Sequence, residues 1–108
     1  MGTSNPTITV TKHLVSNPAD PAKFNLRIDG VTYAANVGDG GSTGAITVLP
    51  GTHTVSETPG LNANMSNYQA RIACSDGSAA YGTSMQVNVV LGEALTCTIT
   101  NTRKLFKV

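Results

Sequence analysis

The strongest constraint on the fold of this 108-residue chain comes from three stretches in which polar and apolar side chains alternate. The stretches are residues 7–15 (TITVTKHLV), 53–59 (HTVSETP) and 95–103 (LTCTITNTR). In a β-strand, side chains two positions apart share a face, so each stretch has one largely apolar face. That face also carries one polar residue in each case: Lys12, Glu57 and Asn101. Because buried polar groups are costly without partners, we expect the amine, the carboxyl and the carboxamide to satisfy one another or to react.

The rest of the chain consists of further short candidate strands separated by turns. Asp29-Gly30 between FNLRI and VTYAANV is typical of a two-residue hairpin turn. No long segment keeps a helical period, and strands recur at a spacing of roughly 8–12 residues, which predicts an all-β sandwich or barrel with little or no helix. The predicted strands are 6–15, 23–29, 31–37, 45–49, 52–58, 67–75, 84–91 and 95–103.

Composition narrows the class of protein. The length fits a single domain, and Trp is absent, so aliphatic side chains must build most of the core. Seven basic and six acidic residues are scattered along the chain, which argues against a nucleic-acid partner. No apolar run approaches the length that a membrane-spanning segment needs, so we expect no membrane insertion. We interpret residues 1–4 (MGTS) as an expression leader, which would be compatible with removal of a native export signal.

Two cysteines allow one disulfide. Cys74 shares a strand face with Ala70 and Ile72, and Cys97 shares a face with Leu95 and Ile99. Both therefore point inward, and we predict a Cys74–Cys97 disulfide, although two buried free thiols are the alternative. A disulfide suits an oxidising, extracellular setting.

Three motifs together resemble a known family. GTHTVSETPG resembles the glutamate-bearing box of collagen-adhesin B-type (CnaB-like, prealbumin-fold) domains of bacterial surface proteins. ITVTKHLV resembles their first strand with its reactive lysine, and CTITNTR resembles their last strand with its reactive asparagine. The order and spacing of the motifs match the family over nearly the whole chain. Two departures are His53, where an aromatic tyrosine is usual, and a proline that follows Glu57 slightly early.

The resemblance implies an Ig-like or prealbumin-like β-sandwich of about 7–8 strands. It also implies a spontaneous isopeptide bond between Lys12 and Asn101, with Glu57 as the proton shuttle. On this interpretation residues 5–103 form one CnaB-like domain, and residues 104–108 form a tail or a linker to the next repeat. The implied function is that of a structural stalk module in a secreted or cell-surface bacterial adhesin or pilus-like protein, with neighbouring repeats as partners. It would need no cofactor and would be no enzyme, since the crosslink forms once per molecule.

The chemistry can also be argued without the family. Burial among Ile8, Val10 and Leu14 disfavours the charged form of Lys12 and makes its amine a nucleophile. Burial likewise favours a protonated Glu57, which can donate to the carboxamide oxygen of Asn101 and move protons. The fold supplies the effective molarity for the attack.

Other interpretations of these residues stay open. A lysine in a strand often extends to the surface, and an asparagine near a strand end is often a turn residue. The rival function is a ligand-binding module that uses the loops 38–44 and 59–66, or the outward threonine rows, for glycan, protein or ice. His13 and His53 lack ligand-spaced partners, so we expect no metal site. Lys23 and Asn88 lie on the outward faces of their strands and are weaker crosslink candidates.

Overall fold

The structure is a computed structural model that describes residues 4–16 and 19–104. It is a sandwich of two β-sheets, which confirms the predicted all-β fold class. Of the predicted leader and tail only Ser4 and Lys104 are described; the remainder lies outside the described residues. The described strands are β1 Thr7–Val15, β2 Phe24–Ile28, β3 Val31–Val37, β4 Ile46–Thr47, β5 Gly51–Pro59, β6 Tyr68–Cys74, β7 Ala79–Tyr81, β8 Ser84–Val89 and β9 Ala94–Arg103.

The sheet order puts the first and last strands side by side. The first sheet has five strands in the order β4-β1-β9-β6-β7, and the second has four in the order β3-β2-β5-β8. β1 and β9 pair in parallel, whereas every other strand pair named in these sheets is antiparallel. Nine successive residue pairs join β1 to β9, from Thr7 opposite Ala94 to Val15 opposite Thr102.

Eight of these strands fall within two residues of their predicted ends. The ninth, β7, was not predicted because its three residues carry no alternation that distinguishes them from a turn. A 3₁₀ turn at Met65–Asn67 is the one helical element among the described residues. The predicted hairpin turn is confirmed: Asp29 and Gly30 have φ angles of 53° and 77°, as a two-residue type I′ turn requires.

The core lies between the two sheets and is aliphatic. Its main cluster is filled by inward side chains at alternate strand positions: Ile8, Val10, Leu26, Ile28, Val55, Ile72, Met85, Val87, Val89, Leu95, Cys97 and Ile99. A second, smaller cluster holds the two aromatic rings Phe24 and Tyr68 together with Ala22. The aromatic cluster closes one end of the sandwich.

The predicted disulfide is present. Cys74 on β6 lies directly opposite Cys97 on β9, and their Sγ atoms are bonded at 2.04 Å. The Cys97 side chain is fully buried in the main core. The bond therefore joins two neighbouring strands of the five-stranded sheet at a point where their hydrogen bonds already hold them in register.

A histidine–aspartate contact ties two turns together at the end of β5 that begins with Gly51. Nδ1 of His53 lies 2.5 Å from Oδ2 of Asp29, and Nε2 lies 2.6 Å from the carbonyl oxygen of Leu49. The other carboxylate oxygen of Asp29 accepts a hydrogen bond from the backbone N–H of Thr54 at 2.9 Å. A carbonyl oxygen can only accept, and an ionised carboxylate likewise, so this geometry suits a histidine ring protonated on both nitrogens.

The first prediction concerns the disulfide. The two cysteines are 23 residues apart in sequence, and by loop-closure entropy their bond is worth about 3 kcal/mol in the free energy of unfolding. Reduction should lower the denaturant midpoint of the wild-type protein accordingly. The double variant C74A/C97A should show a low midpoint that reductant does not change. An unchanged wild-type midpoint after complete reduction, verified by thiol titration, would contradict this prediction.

The second prediction concerns pH. The hydrogen bond to Asp29, and then that to Leu49, raise the pKa of His53 against a smaller opposing effect of burial. The contribution of His53 to stability is therefore complete below its unfolded pKa of about 6.5 and is lost as pH rises through the higher folded value. Burial alone would raise the pKa of Asp29, but the hydrogen bonds from His53 and Thr54 outweigh that effect and lower this pKa. Its contribution is present above about pH 4 and is lost in acid.

The measurement compares wild type with His53→Gln in denaturant unfolding at several pH values. The difference in unfolding free energy should be largest between about pH 4 and 6.5 and should shrink at higher pH. In an Asp29→Asn background, His53→Gln should lower the free energy of unfolding only slightly further at any pH. A difference that stays constant from pH 5 to pH 9 would show that the contact does not involve a charged histidine.

Candidate functional site

Lys12, Glu57 and Asn101 all point into the core, as predicted. Their exposed fractions are 2%, 4% and 0%. The β1–β9 register places Ile99 opposite Lys12 and Asn101 opposite Leu14, so Asn101 is the next inward residue along the strand beside Lys12. Glu57 comes from β5 in the facing sheet. Parallel pairing of the chain's two terminal strands thus brings the amine and the carboxamide onto the same buried face.

Lys12 and Glu57 are in direct contact. Nζ of Lys12 lies 2.7 Å from Oε1 of Glu57, and both side chains are completely shielded from solvent. Burial lowers the pKa of Lys12, and the neighbouring Glu57 carboxyl offsets part of that effect. Desolvation therefore moves the lysine toward the neutral amine, which is the form that can act as a nucleophile.

Three buried side-chain atoms of Glu57 and Asn101 have no hydrogen-bond partner among the described residues. They are Oε2 of Glu57 and both Oδ1 and Nδ2 of Asn101. Buried carboxamides almost always find partners, and leaving one unsatisfied costs about 1–3 kcal/mol. Asn101 thus lies at the next inward position of the strand paired with that of Lys12, without the hydrogen bonds that would make it an ordinary structural asparagine.

An aromatic wall, formed by Phe24 and Tyr68, bounds the site on one side. The ring centroid of Phe24 lies 3.9 Å from Nζ of Lys12. Phe24 is completely buried, and Tyr68 meets it edge-on with ring centroids 5.5 Å apart and planes at 80°. Sequence reasoning did not assign these rings to the site. The inward position of Phe24 on its strand was visible in the sequence, but its contact with Lys12 depends on how the two sheets face each other.

A network of polar side chains holds the hydroxyl end of Tyr68, on the side of the aromatic wall away from Lys12. Oδ2 of Asp20 accepts hydrogen bonds from the hydroxyls of Tyr68 at 2.6 Å and Ser16 at 2.7 Å. Oδ1 of Asp20 accepts from the backbone N–H of Ala22 at 3.0 Å, and Arg103 donates to the Tyr68 hydroxyl at 3.0 Å. No motif in the sequence indicated this network, because its members come from three separate segments.

The hydrogen bonds of this network, together with burial, shift the pKa values of Asp20 and Tyr68. Burial alone would raise the pKa of Asp20. The hydrogen bonds from Tyr68, Ser16 and Ala22 and the charge of Arg103 outweigh that effect, so the pKa of Asp20 is lowered. Burial, and then the hydrogen bond to Asp20, raise the pKa of Tyr68. The network therefore contains a carboxylate, a neutral phenol and a guanidinium at neutral pH.

The regions considered for ligand binding have ordinary structural contacts. Loop 38–44 runs along β1, to which it is joined by backbone hydrogen bonds that include Lys12 N–H to the Gly41 oxygen and Thr43 N–H to the Val10 oxygen. The threonine rows of β1 and β9 lie side by side in register, and the Thr11 and Thr98 hydroxyls are 3.1 Å apart. These hydroxyls partly satisfy each other. The rival function as a ligand-binding module remains a prediction.

The described part of the chain offers neither a metal cluster nor a membrane-spanning helix. No group of three or more His, Cys, Asp or Glu side chains lies close enough together there to hold a metal ion. No helix there is long and apolar enough to cross a membrane. The weaker crosslink candidates are both exposed: Asn88 lies on the outward face of β8, and Lys23 lies just before β2 and not within it.

Solved structures with a similar fold include major pilins of Streptococcus pyogenes. The T3.2 major pilin of Streptococcus pyogenes is 17% identical with a TM-score of 0.55, and the match covers 94% of this chain and 46% of the pilin. Another major pilin from Streptococcus pyogenes is 19% identical with a TM-score of 0.53, covering 93% of this chain and 48% of the pilin. The T-13 major pilin of Streptococcus pyogenes gives 16% identity, a TM-score of 0.54, and coverage of 94% and 46%. The chain thus spans about half of each pilin, and at these identities the likeness shows the fold alone.

Comparison with curated proteins finds no match. A family model does match, and it covers residues 7–103, from the first residue of β1 to the last residue of β9. The family is described as the prealbumin-like fold domain. The match contains all three strands that carry Lys12, Glu57 and Asn101. The chain therefore belongs to the family of prealbumin-like fold domains.

Proposed function

We propose that this domain is a structural stalk module of an extracellular bacterial surface or pilus-like protein, and that an isopeptide bond between Lys12 and Asn101 locks it. The observation that carries the proposal is the buried contact of 2.7 Å between Lys12 and Glu57 beside a carboxamide without hydrogen-bond partners among the described residues. The pilin-like fold and the three sequence motifs support the same function.

The proposed reaction gives each of the three side chains a separate role. A proton passes from the Lys12 ammonium to Glu57 across their hydrogen bond, which leaves two neutral groups in an apolar surrounding and removes the cost of two buried charges. The neutral amine attacks the side-chain carbonyl carbon of Asn101, while protonated Glu57 donates to the carbonyl oxygen. Glu57 then moves a proton from the attacking nitrogen to the departing amino group. The C–N bond to Nδ2 breaks while the proton on the oxygen returns to Glu57, ammonia leaves, and a secondary amide joins the two strands.

The product would also contain fewer unpaired polar atoms than the reactants. The new amide keeps one N–H donor and one carbonyl acceptor where the reactants had an ammonium and a carboxamide. Glu57 lies within hydrogen-bonding distance of the nitrogen that becomes this N–H. A buried amide paired with one carboxyl is cheaper than a buried charge next to an unsatisfied carboxamide.

The sheet order supports the proposed mechanical role. β1 and β9 are neighbouring strands near the middle of the five-stranded sheet, and they run in the same direction. In a tandem array, force would enter near residue 7 and leave near residue 103. With a Lys12–Asn101 bond the load would pass from β1 to β9 through a covalent link, and the chain between them would bear little tension. The Cys74–Cys97 disulfide supports the proposed extracellular location, since such bonds persist in oxidising compartments.

The third prediction is an intact mass. After reduction and denaturation, the wild-type protein should weigh one ammonia less than its sequence. Lys12→Ala, Glu57→Ala and Asn101→Ala should each have the full mass, because each removes a reacting group or the proton shuttle. Matched controls are Lys23→Ala and Asn88→Ala, which change an exposed lysine and an exposed asparagine and should still lose ammonia. A wild-type mass equal to the sequence would falsify the crosslink.

The fourth prediction concerns stability and force. A bond between residues 12 and 101 closes most of the chain into a loop, which by loop entropy is worth about 4–5 kcal/mol in the free energy of unfolding. Glu57→Gln should lose that amount, together with a packing cost of its own. Lys12→Met, which also prevents the bond but keeps an apolar stem, separates the two contributions. In single-molecule pulling, wild type should release almost no contour length, whereas both variants should extend by the segment between Lys12 and Asn101 except for the 74–97 loop, which the disulfide keeps closed. Full extension of the wild type would rule out the load-bearing role.

A further inference from the structure

The contact of Lys12 with Phe24 makes the position of that ring important for the proposed reaction, on which this inference rests. The ring face lies 3.9 Å from Nζ and forms the side of the site nearest the aromatic cluster. A ring at this distance keeps water away from the amine. It also attracts an ammonium more than an amine, so its placement affects the balance between the two forms of Lys12.

Phe24 takes its orientation from Tyr68. The edge-on contact at 80° fixes the plane of the Phe24 ring, and the other groups in this cluster, such as Ala22, are small or only partly buried. Tyr68 in turn cannot rotate freely, because its hydroxyl donates to Asp20 and accepts from Arg103. The side chain of Asp20 is only 4% exposed, although it belongs to the segment between β1 and β2. A buried carboxylate in a connecting segment, with several donors directed at it, indicates a specific positional demand.

The members of this network lie next to both reacting residues along the chain. Ser16 follows β1 four positions after Lys12, and Arg103 follows Asn101 by two positions on β9. In the β6–β9 register, Tyr68 is opposite Arg103 and Ala70 is opposite Asn101. The Tyr68–Arg103 hydrogen bond therefore requires that the end of β9 has paired in register, which is the same condition that brings Asn101 to its place beside β1.

We propose that Tyr68, held by Asp20 and Arg103, is a positioning residue for the Lys12–Asn101 crosslink: it fixes Phe24 against Lys12 and closes the site to water once β9 is in register. Tyr68 acts through Phe24 and does not take part in the proton transfers. The charged groups that face the site are Glu57 from β5, and, behind the aromatic wall, Asp20 and Arg103. Ser16 and Ala22 complete the holding of Asp20.

The test follows the rate of crosslinking in the full chain. The protein is made in a short cell-free translation pulse, and the fraction that has lost ammonia is measured over time by intact mass after denaturation and reduction, from pH 5 to pH 9. Tyr68→Phe keeps the ring and its contact with Phe24 but removes the hydroxyl. Asp20→Asn keeps the shape but weakens the hold on Tyr68. Asp29→Asn is the matched control, since it breaks an aspartate network that joins turns around His53.

We expect Tyr68→Phe and Asp20→Asn to crosslink roughly tenfold more slowly, in keeping with the penalty for slightly misplaced reactants. Their rates should also depend on pH differently from the wild-type rate, because a displaced Phe24 ring changes the balance between the ammonium and amine forms of Lys12. Asp29→Asn should keep the wild-type rate and pH profile even if it melts at a lower temperature. A purely structural network would lower stability without moving the pH profile.

The outcomes separate the two proposals. If wild type keeps its full mass, the crosslink itself fails. If wild type loses ammonia and Tyr68→Phe reacts with the same rate and pH profile, the positioning role is overturned and the crosslink stands. The positioning role is likewise overturned if Asp29→Asn slows the reaction as much as Tyr68→Phe does. Folding of each variant is checked by circular dichroism. If Tyr68→Phe does not fold, Arg103→Lys replaces it in the test. The positioning role predicts that Arg103→Lys crosslinks more slowly, and an unchanged rate would overturn that role.

Discussion

The buried contact between Lys12 and Glu57 is the interaction on which the rest of this structure depends. Removing two ionisable groups from water is expensive, and a buried ion pair often stabilises a fold less than apolar side chains of the same size would. The surroundings do little to reduce that cost: the remaining carboxyl oxygen has no partner among the described residues, and Phe24 offers only its ring face. An arrangement that is poor for stability as it stands becomes favourable if it is the precursor of an amide. This is why the pair supports a chemical role better than a structural one.

The parallel pairing of β1 and β9 determines what such an amide can do. These strands are far apart in sequence but are neighbours in the sheet, so one bond between them encloses nearly all of the domain. Parallel register also places Asn101 diagonally beside Lys12 on the inward face. Slipping β9 by one residue would turn Asn101 outward, away from the amine. The network of Asp20, Tyr68 and Arg103 lies where it opposes such a slip, since Tyr68 pairs with Arg103 only in the observed register.

Alternation of side chains was enough to predict most of the strands and the buried positions of the three candidate site residues. Lys12, Glu57 and Asn101 stand at inward positions of long, regular strands, and Cys74 and Cys97 do so as well; such positions are fixed by the two-residue period alone. The strand Ala79–Tyr81 escaped prediction because it is defined by its pairing with β6 and not by its own residues. The aromatic wall and the Asp20 network escaped for a related reason: their contacts cross from one sheet to the other or join distant segments, and no local pattern encodes them.

With the proposed crosslink in place, the covalent bonds between side chains would all lie in one of the two sheets. Lys12–Asn101 would join β1 to β9, and Cys74–Cys97 joins β9 to β6, so three adjacent strands of the five-stranded sheet would be linked in series. Among the described residues, no covalent bond between side chains lies within the four-stranded sheet or joins it to the first sheet. Its strands are held by hydrogen bonds and by apolar contacts across the core. At the end of β5 where His53 lies, that hold includes a contact that weakens as histidine loses its proton. Partial opening at neutral and alkaline pH should therefore begin in the four-stranded sheet near His53, while the linked strands keep the ends of the domain together under load. A stalk module built in this way could lose local structure and still transmit force, because the path of the force and the path of unfolding run through different sheets.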